Sequence, residues 1–461
     1  MYLDLCRSRE LDRRPDLSNG TQSTLRLTCG ARDTEGLTLS LLSWSTYLAL
    51  VTFFLVDGLL QQSQMLLTGG STPIHGNIKI IVLFIAFAAI LLARRFHTSL
   101  ISYATIVLSV FICSDAAILY ATTGYRAVDI LYSFNGSLVP LVLCGVVLST
   151  PLTLKQRQVL AAGMAVFTAC IVISALQYIL NTSVVPTHSA DGTFSVDSPI
   201  FFGHVRAFSL FSSGYQAGLF YCIPAALGAI LMLRRRVLLG GLVLSLSIFG
   251  SYATLTRLTL INLGLCLCSA FMLWNPRLTR ITKMLPLIWA LLPLLLIPMT
   301  SLISRGSTRG DISSTASLGD RLLGWRHYGD DYMSGGLTEM LFGSGVSEYE
   351  GSDAANKRPS AAPDPIDSAY LQLLLHSGVI SVGIAIYYYI QAWRMLYAKA
   401  FEERSLFSLS AAAVFSTSPF LAAINDLPVA MFALFTIAMM IEGRASDNYV
   451  MTNSTRRIAQ R

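Results

Sequence analysis

A chain of 461 residues of which 53% are hydrophobic and 13% charged lies far from the roughly 25% charged residues of a soluble domain. An ordinary water-soluble enzyme is thereby excluded, and an all-α polytopic membrane protein is expected. The net charge of +7 would suit nucleic acid, but the basic residues recur along the chain as topology signals, so no nucleic-acid partner is expected.

Apolar runs of about 17 to 25 residues read as spanning helices. Twelve occur, near 39–56, 78–93, 99–120, 128–148, 159–180, 214–233, 237–254, 258–274, 284–304, 367–392, 406–424 and 428–442. Residues 1–38 are polar and Arg-rich without a periodic apolar face, as expected of a disordered arm. No secretory signal is visible, because the first apolar run is long enough to be retained as a helix. Basic residues cluster in every second connection: Arg94-Arg95, Lys155 with Arg157, Arg234 to Arg236, Arg277 with Arg280 and Lys283, and Arg394 with Lys399 and Arg404. Together with the arm and tail these hold 23 of the 33 Lys and Arg residues. Short basic loops stay in the cytoplasm, so both termini are expected there. The chain then divides into a cytoplasmic arm (1–38), helices one to nine (39–304), one large extracytoplasmic loop (305–366), helices ten to twelve (367–442) and a cytoplasmic tail (443–461).

Few charges remain on the other side. Asp115 is the one acid well inside a span, and intramembrane carboxylates are functional candidates by default. The connection 181–213 ends in an aromatic-rich lip carrying Arg206, which is expected at the membrane surface. Arg257 occupies the outer turn between helices seven and eight (SYATLTRLTL), where an arginine either snorkels or meets an anionic partner. None of the eight cysteines lies in the long loop, so no disulfide framework is expected there.

The loop 305–366 has 62 residues, nine acidic and six basic, and a polar connection of that length is more often functional than a mere linker. Ser317 to Asp320 has the spacing of a capping box. A helix is expected from there, with Leu322, Trp325 and Tyr328 in one stripe along the membrane surface, flanked by Arg321 and Arg326. Gly343 and Gly345 suit a sharp return of the chain toward the membrane. For the tenth helix, Asp364 can cap, Pro365 fits the first position and Asp367 the third. That register puts Asp367, Tyr370, Leu371, Leu374 and Gly378 on one face and His376 on the opposite one.

The succession RAFSLFSSGYQAGLF, TLTRLTL, GDRLLGW followed by LFGSG, and DSAYLQLLLHSGVISVG resembles the O-antigen polymerase and ligase superfamily of bacterial membrane proteins, over roughly residues 80–440. The resemblance implies a metal-independent, cofactor-free glycosyltransferase in the bacterial plasma (inner) membrane. It would transfer a glycan from an undecaprenyl-diphosphate-linked oligosaccharide to a lipid-linked repeat unit, building O-antigen, exopolysaccharide or capsule, with membrane lipid and a chain-length regulator as further partners. In the ligases the start of the helix after the large loop resembles His-Asn-x-Tyr-Leu; Asp367 stands where that His would be, which favours a polymerase over a ligase acting on lipid A-core. A lipid-linked glycan flippase is the other alternative, and the lack of an internal repeat between the halves weighs against it.

A lipid diphosphate at the membrane surface is matched by bidentate arginine better than by lysine. Arg206 and Arg257 are therefore expected to bind it, with Arg326 and Tyr370 as further substrate contacts. Arg321 is expected to stabilise charge on the leaving group, and Asp367 to orient or deprotonate the acceptor hydroxyl. No HExxH, CxxC pair, Walker loop or GxSxG motif is present, so neither metal nor nucleotide chemistry is expected.

Overall fold

The computed structural model describes residues 39–56, 58–59, 62–63, 139–148, 152–184, 200–201, 203–293, 328–330, 332–343, 368–424 and 429–442. The N-terminal arm, the spans at 78–93 and 99–120, Asp115, the Ser317–Asp320 box, Arg321, Arg326, Gly345, Asp364, Asp367 and the tail lie outside them. In chain order the elements are α1 (Leu39–Leu55), α2 (Val139–Leu148), α3 (Gln156–Leu180), a two-residue hairpin of β1 (Ile200–Phe201) and β2 (His204–Val205), α4 (Gly214–Leu233), α5 (Val237–Ala253), α6 (Arg257–Trp274), α7 (Thr279–Lys283), α8 (Leu337–Phe342), α9 (Ala369–Glu403), α10 (Leu406–Phe415), α11 (Ser418–Ile424) and α12 (Val429–Met440). Among the described residues, five helical stretches are long and apolar enough to cross a membrane: Gln156–Leu180, Gly214–Leu233, Arg257–Trp274, Ser377–Glu403 and Leu406–Ala423. Helices α1, α5 and α12 are apolar but shorter.

Helix α4 is the axis of the bundle, wrapped by α5, α6 and α10. Between apolar helices in lipid, close backbone approach and side-chain hydrogen bonds replace the hydrophobic effect as the source of cohesion. The α4–α5 crossing shows this: a Cβ added to Gly228 would sit 2.9 Å from the Gly240 carbonyl oxygen, and one added to Gly240 2.6 Å from that of Gly228. Across the bundle Ser269 and Ser416 join α6 to the end of α10 at 3.0 Å. Exposed apolar side chains run along the outer faces of α3 (Val172, Leu176, Ile179) and α5 (Leu238, Leu242, Ile248), as a hydrocarbon surround requires.

Two helices depart from the sequence expectation. The stretch 406–424 is two helices, because the Ser416 and Thr417 hydroxyls donate back to the carbonyls of Ala413 and Val414 and compete with the helical ladder. Helix α9 runs from Ala369 to Glu403, further than 367–392, because QAWRMLYAKAFEE is rich in strong helix formers. Arg394 and Lys399 thus ride on its last turns. Its N-cap is Ser368, extended at φ −153° with its hydroxyl accepting from Leu371 N–H, instead of Asp364.

The ends of α4 and α9 meet, since the Arg234 guanidinium donates to the Arg404 carbonyl. The parts of α4 and α9 that lead to this contact therefore run the same way, and the starts of α4 and α6 share the opposite end of the bundle.

Candidate functional site

The end of the bundle where α4 and α6 begin is built around the segment 204–213. It leaves the β1–β2 hairpin, held by Asn181, whose side chain accepts from Val205 N–H at 2.8 Å and donates to the Gly203 carbonyl at 3.2 Å. The segment then plunges inward: Ala207, Phe208, Ser209 and Phe211 are fully buried. The aromatic lip expected at the surface is inserted into the bundle, because Phe208 and Phe211 gain packing there.

Irregular backbone at that depth must have its polar groups satisfied by protein. Gln177 accepts from Ser209 N–H at 2.8 Å, the Ser209 hydroxyl donates to the Cys170 carbonyl at 3.0 Å, and Gln62 donates to the carbonyls of Ser209 at 3.2 Å and Phe211 at 3.1 Å. Sequence reading missed both glutamines, although a carboxamide inside an apolar span (Gln177) is a visible signal.

This inserted segment fixes Arg206. The next residue, Ala207, donates its N–H to the Ala253 carbonyl at the end of α5, at 3.0 Å. The Arg206 stem lies against the first residue of α4: a Cβ added to Gly214 would be 3.5 Å from Arg206 Cβ and 3.2 Å from the Thr254 carbonyl oxygen. Arg257 opens α6 three residues beyond Thr254. The two arginines expected to bind phosphate are thus tied to the same junction of three helix ends. Arg206 is half-buried and burial pulls its pKa down from the usual arginine value; Arg257 is exposed. The starts of α4 and α6 carry the positive end of the helix dipole, so the junction suits an anion in charge and in donor supply.

Beneath Arg257, α6 presents a stripe of wholly buried polar residues, Thr259, Asn262, Cys266 and Ser269. Thr254 and Thr259 hydroxyls lie 3.4 Å apart, and Asn262 Nδ2 donates to the sulfurs of Cys222 and Cys266 at 3.3 and 3.7 Å. The spacing i, i+3, i+7, i+10 makes this stripe legible in the sequence.

Tyr370 belongs to a second assembly. Helix α9 breaks at Gly378, whose φ of +70° and ψ of −179° lie in a region open essentially to glycine alone. Into that break fits α8: a Cβ on Gly378 would lie 2.2 Å from the Leu341 carbonyl oxygen and 2.5 Å from Phe342 N. Gly343, at φ +83°, ends α8 as its expected turn role requires. Tyr328 packs with Leu375, Tyr332 and Leu371, so it is buried against α9, while Leu322 and Trp325 of its expected stripe lie outside the described residues. Tyr370 is half-buried in the first turn of α9. The break turns the segment before Gly378 out of line with the rest of α9. Asp367, expected on the same face as Tyr370, lies outside the described residues.

The chain matches no protein-family model and no curated protein.

Proposed function

We propose that this protein is a polysaccharide polymerase of the bacterial plasma membrane, with about twelve spans, cytoplasmic termini and the loop 305–366 on the outer face. The observation that carries the reading is the joining of Arg206 and Arg257 at one junction, beside the first turns of α4 and α6. The topology is supported by the meeting of two basic connections, Arg234 and Arg404, at the opposite end.

In this reading the two guanidiniums grip the diphosphate of an undecaprenyl-linked glycan, assisted by the helix dipoles. A hydroxyl of the acceptor repeat unit attacks the anomeric carbon of the donor. The bond from that carbon to the diphosphate oxygen breaks, the electron pair leaves on the diphosphate, and the hydroxyl proton passes to Asp367. A single displacement inverts the anomeric centre. Arg321 neutralises charge gathering on the leaving diphosphate, and Arg326 and Tyr370 contact the glycan.

The test is to express Arg206→Ala and Arg257→Ala chains in the native cell and analyse the lipid-linked glycans. Single repeat units should accumulate on the lipid carrier while protein abundance stays normal. Long polymer from both variants would overturn the reading. Polymer intact on the carrier but absent from the cell surface would point to a ligase instead.

A further inference from the structure

The end of the bundle away from Arg206 and Arg257 is assembled by contacts that gather charge without neutralising it. Arg234 lies over the Trp274 ring at 5.7 Å and donates to the Arg404 carbonyl, binding the ends of α4, α6 and α9 together. Trp393 Nε1 donates to the Lys283 carbonyl at 3.1 Å and the Tyr397 hydroxyl to that of Thr279 at 3.2 Å, which pins α7 to α9. Lys399 reaches the Ile441 carbonyl, and Leu154 pairs with Ile441, so the start of α3 joins the same end.

From Lys155 to Glu442 the described residues of this end hold eleven Lys and Arg against three Glu (Glu402, Glu403 and Glu442). Lys399 pairs with Glu403. Among the described residues no carboxylate pairs with Arg234, Arg235 or Arg236, and beyond the effect of burial Arg236 pushes the Arg234 pKa down further. Like charges therefore crowd one another here, a cost that an external anion would relieve.

The exposed cations are interleaved with exposed hydrocarbon. Ile281 and Met284 flank Lys283 and follow Arg280, and Val237 and Leu238 follow Arg236. Charge beside apolar surface, at the level of Trp274, Trp393 and Tyr397, is the composition of a membrane–water interface. A water-borne polyanion would leave that apolar surface wet; a phospholipid covers both.

We propose that this face binds anionic phospholipid headgroups, with Arg236, Arg277 and Arg280 on the phosphates and Ile281, Met284 and Leu238 on the upper acyl chains. The proposal rests on the membrane-spanning helices and is independent of the glycan reading. It goes beyond orientation: a topology signal acts during insertion, whereas a binding face holds lipid in the finished protein.

The full-length chain is reconstituted in nanodiscs of phosphatidylcholine with a minority of phosphatidylglycerol, extracted gently, and its retained lipids are counted by mass spectrometry. Phosphatidylglycerol should be enriched over the bulk, by about five-fold for each basic residue engaged, and the enrichment should fall as salt rises. The triple change Arg236→Gln, Arg277→Gln and Arg280→Gln should return the retained lipid to bulk composition. Bulk composition around the wild type, enrichment indifferent to salt, or undiminished enrichment around a folded triple variant would each overturn the proposal. So would displacement of phosphatidylglycerol by a soluble nucleic acid. The salt series on the wild type decides the matter even if the triple variant fails to fold, and polymer synthesis is not part of the readout.

Discussion

The two ends of the bundle handle charge in opposite ways. Where α4 and α6 begin, Arg206 and Arg257 are the two described arginines, and one of them is fixed by an inserted loop, a helix start and a backbone hydrogen bond. Where α4, α6 and α9 end, cations are many and mostly exposed on short turns. The first arrangement specifies position and the second supplies field. A single substitution should therefore be costly at the first end through geometry, and nearly free in stability at the second through redundancy.

The steepest test of this contrast is Gly378→Ala, at the break in α9. Backbone in this region costs a non-glycine residue about 1–3 kcal/mol, and overpacking against Leu341 adds about 1–3 kcal/mol more. Thermal unfolding should drop accordingly, and α8 should come off α9 and become open to protease. A Gly378→Ala protein of wild-type stability would remove the close fit of α8 from the account.

Next come Arg206→Lys and Arg257→Lys, which keep charge but lose the bidentate fork. Each should cut polymer formation by about 10²–10³, the loss typical of removing one donor aimed at developing charge, with folding unchanged. Gel analysis of polymer length against protein level measures it. Smaller again is Gln177→Leu, which strips the buried Ser209 N–H of its acceptor. About 1–3 kcal/mol of stability should go, together with some activity, because Arg206 loses its support. An equal loss of activity with no loss of stability would mean that Gln177 touches substrate instead. At the far end a single Arg280→Gln should stay within about 0.5 kcal/mol of wild type in stability.

The same contrast governs what could be read from the sequence. Helices α3 to α6 were legible because each is an apolar run bounded by basic or polar turns, and both signals are local. Arg206 and Arg257 stood out because cations are scarce on their side. The insertion of Phe208 and Phe211 was not legible. It depends on Gln62 and Gln177, 147 and 32 residues away from Ser209, and an apolar segment ending a loop reads equally as a surface lip.

The break at Gly378 was hidden for a related reason. One glycine in a helical pattern costs only about 1 kcal/mol, and what forces the break is the backbone of α8, thirty-six residues earlier. Ser368 and Asp364 are equally good caps by residue type, so the start of α9 was misplaced by tertiary context.

In the proposed function Arg206 and Arg257 act as one anion clamp, and a double-mutant cycle of Arg206→Lys and Arg257→Lys on polymer formation tests this most directly. Groups that act as a unit are strongly non-additive. The double variant should be little worse than the poorer single one, with single repeat units accumulating in all three. Losses that multiply would mean that the two arginines serve separate sites, and wild-type polymer from the double variant would contradict the clamp altogether.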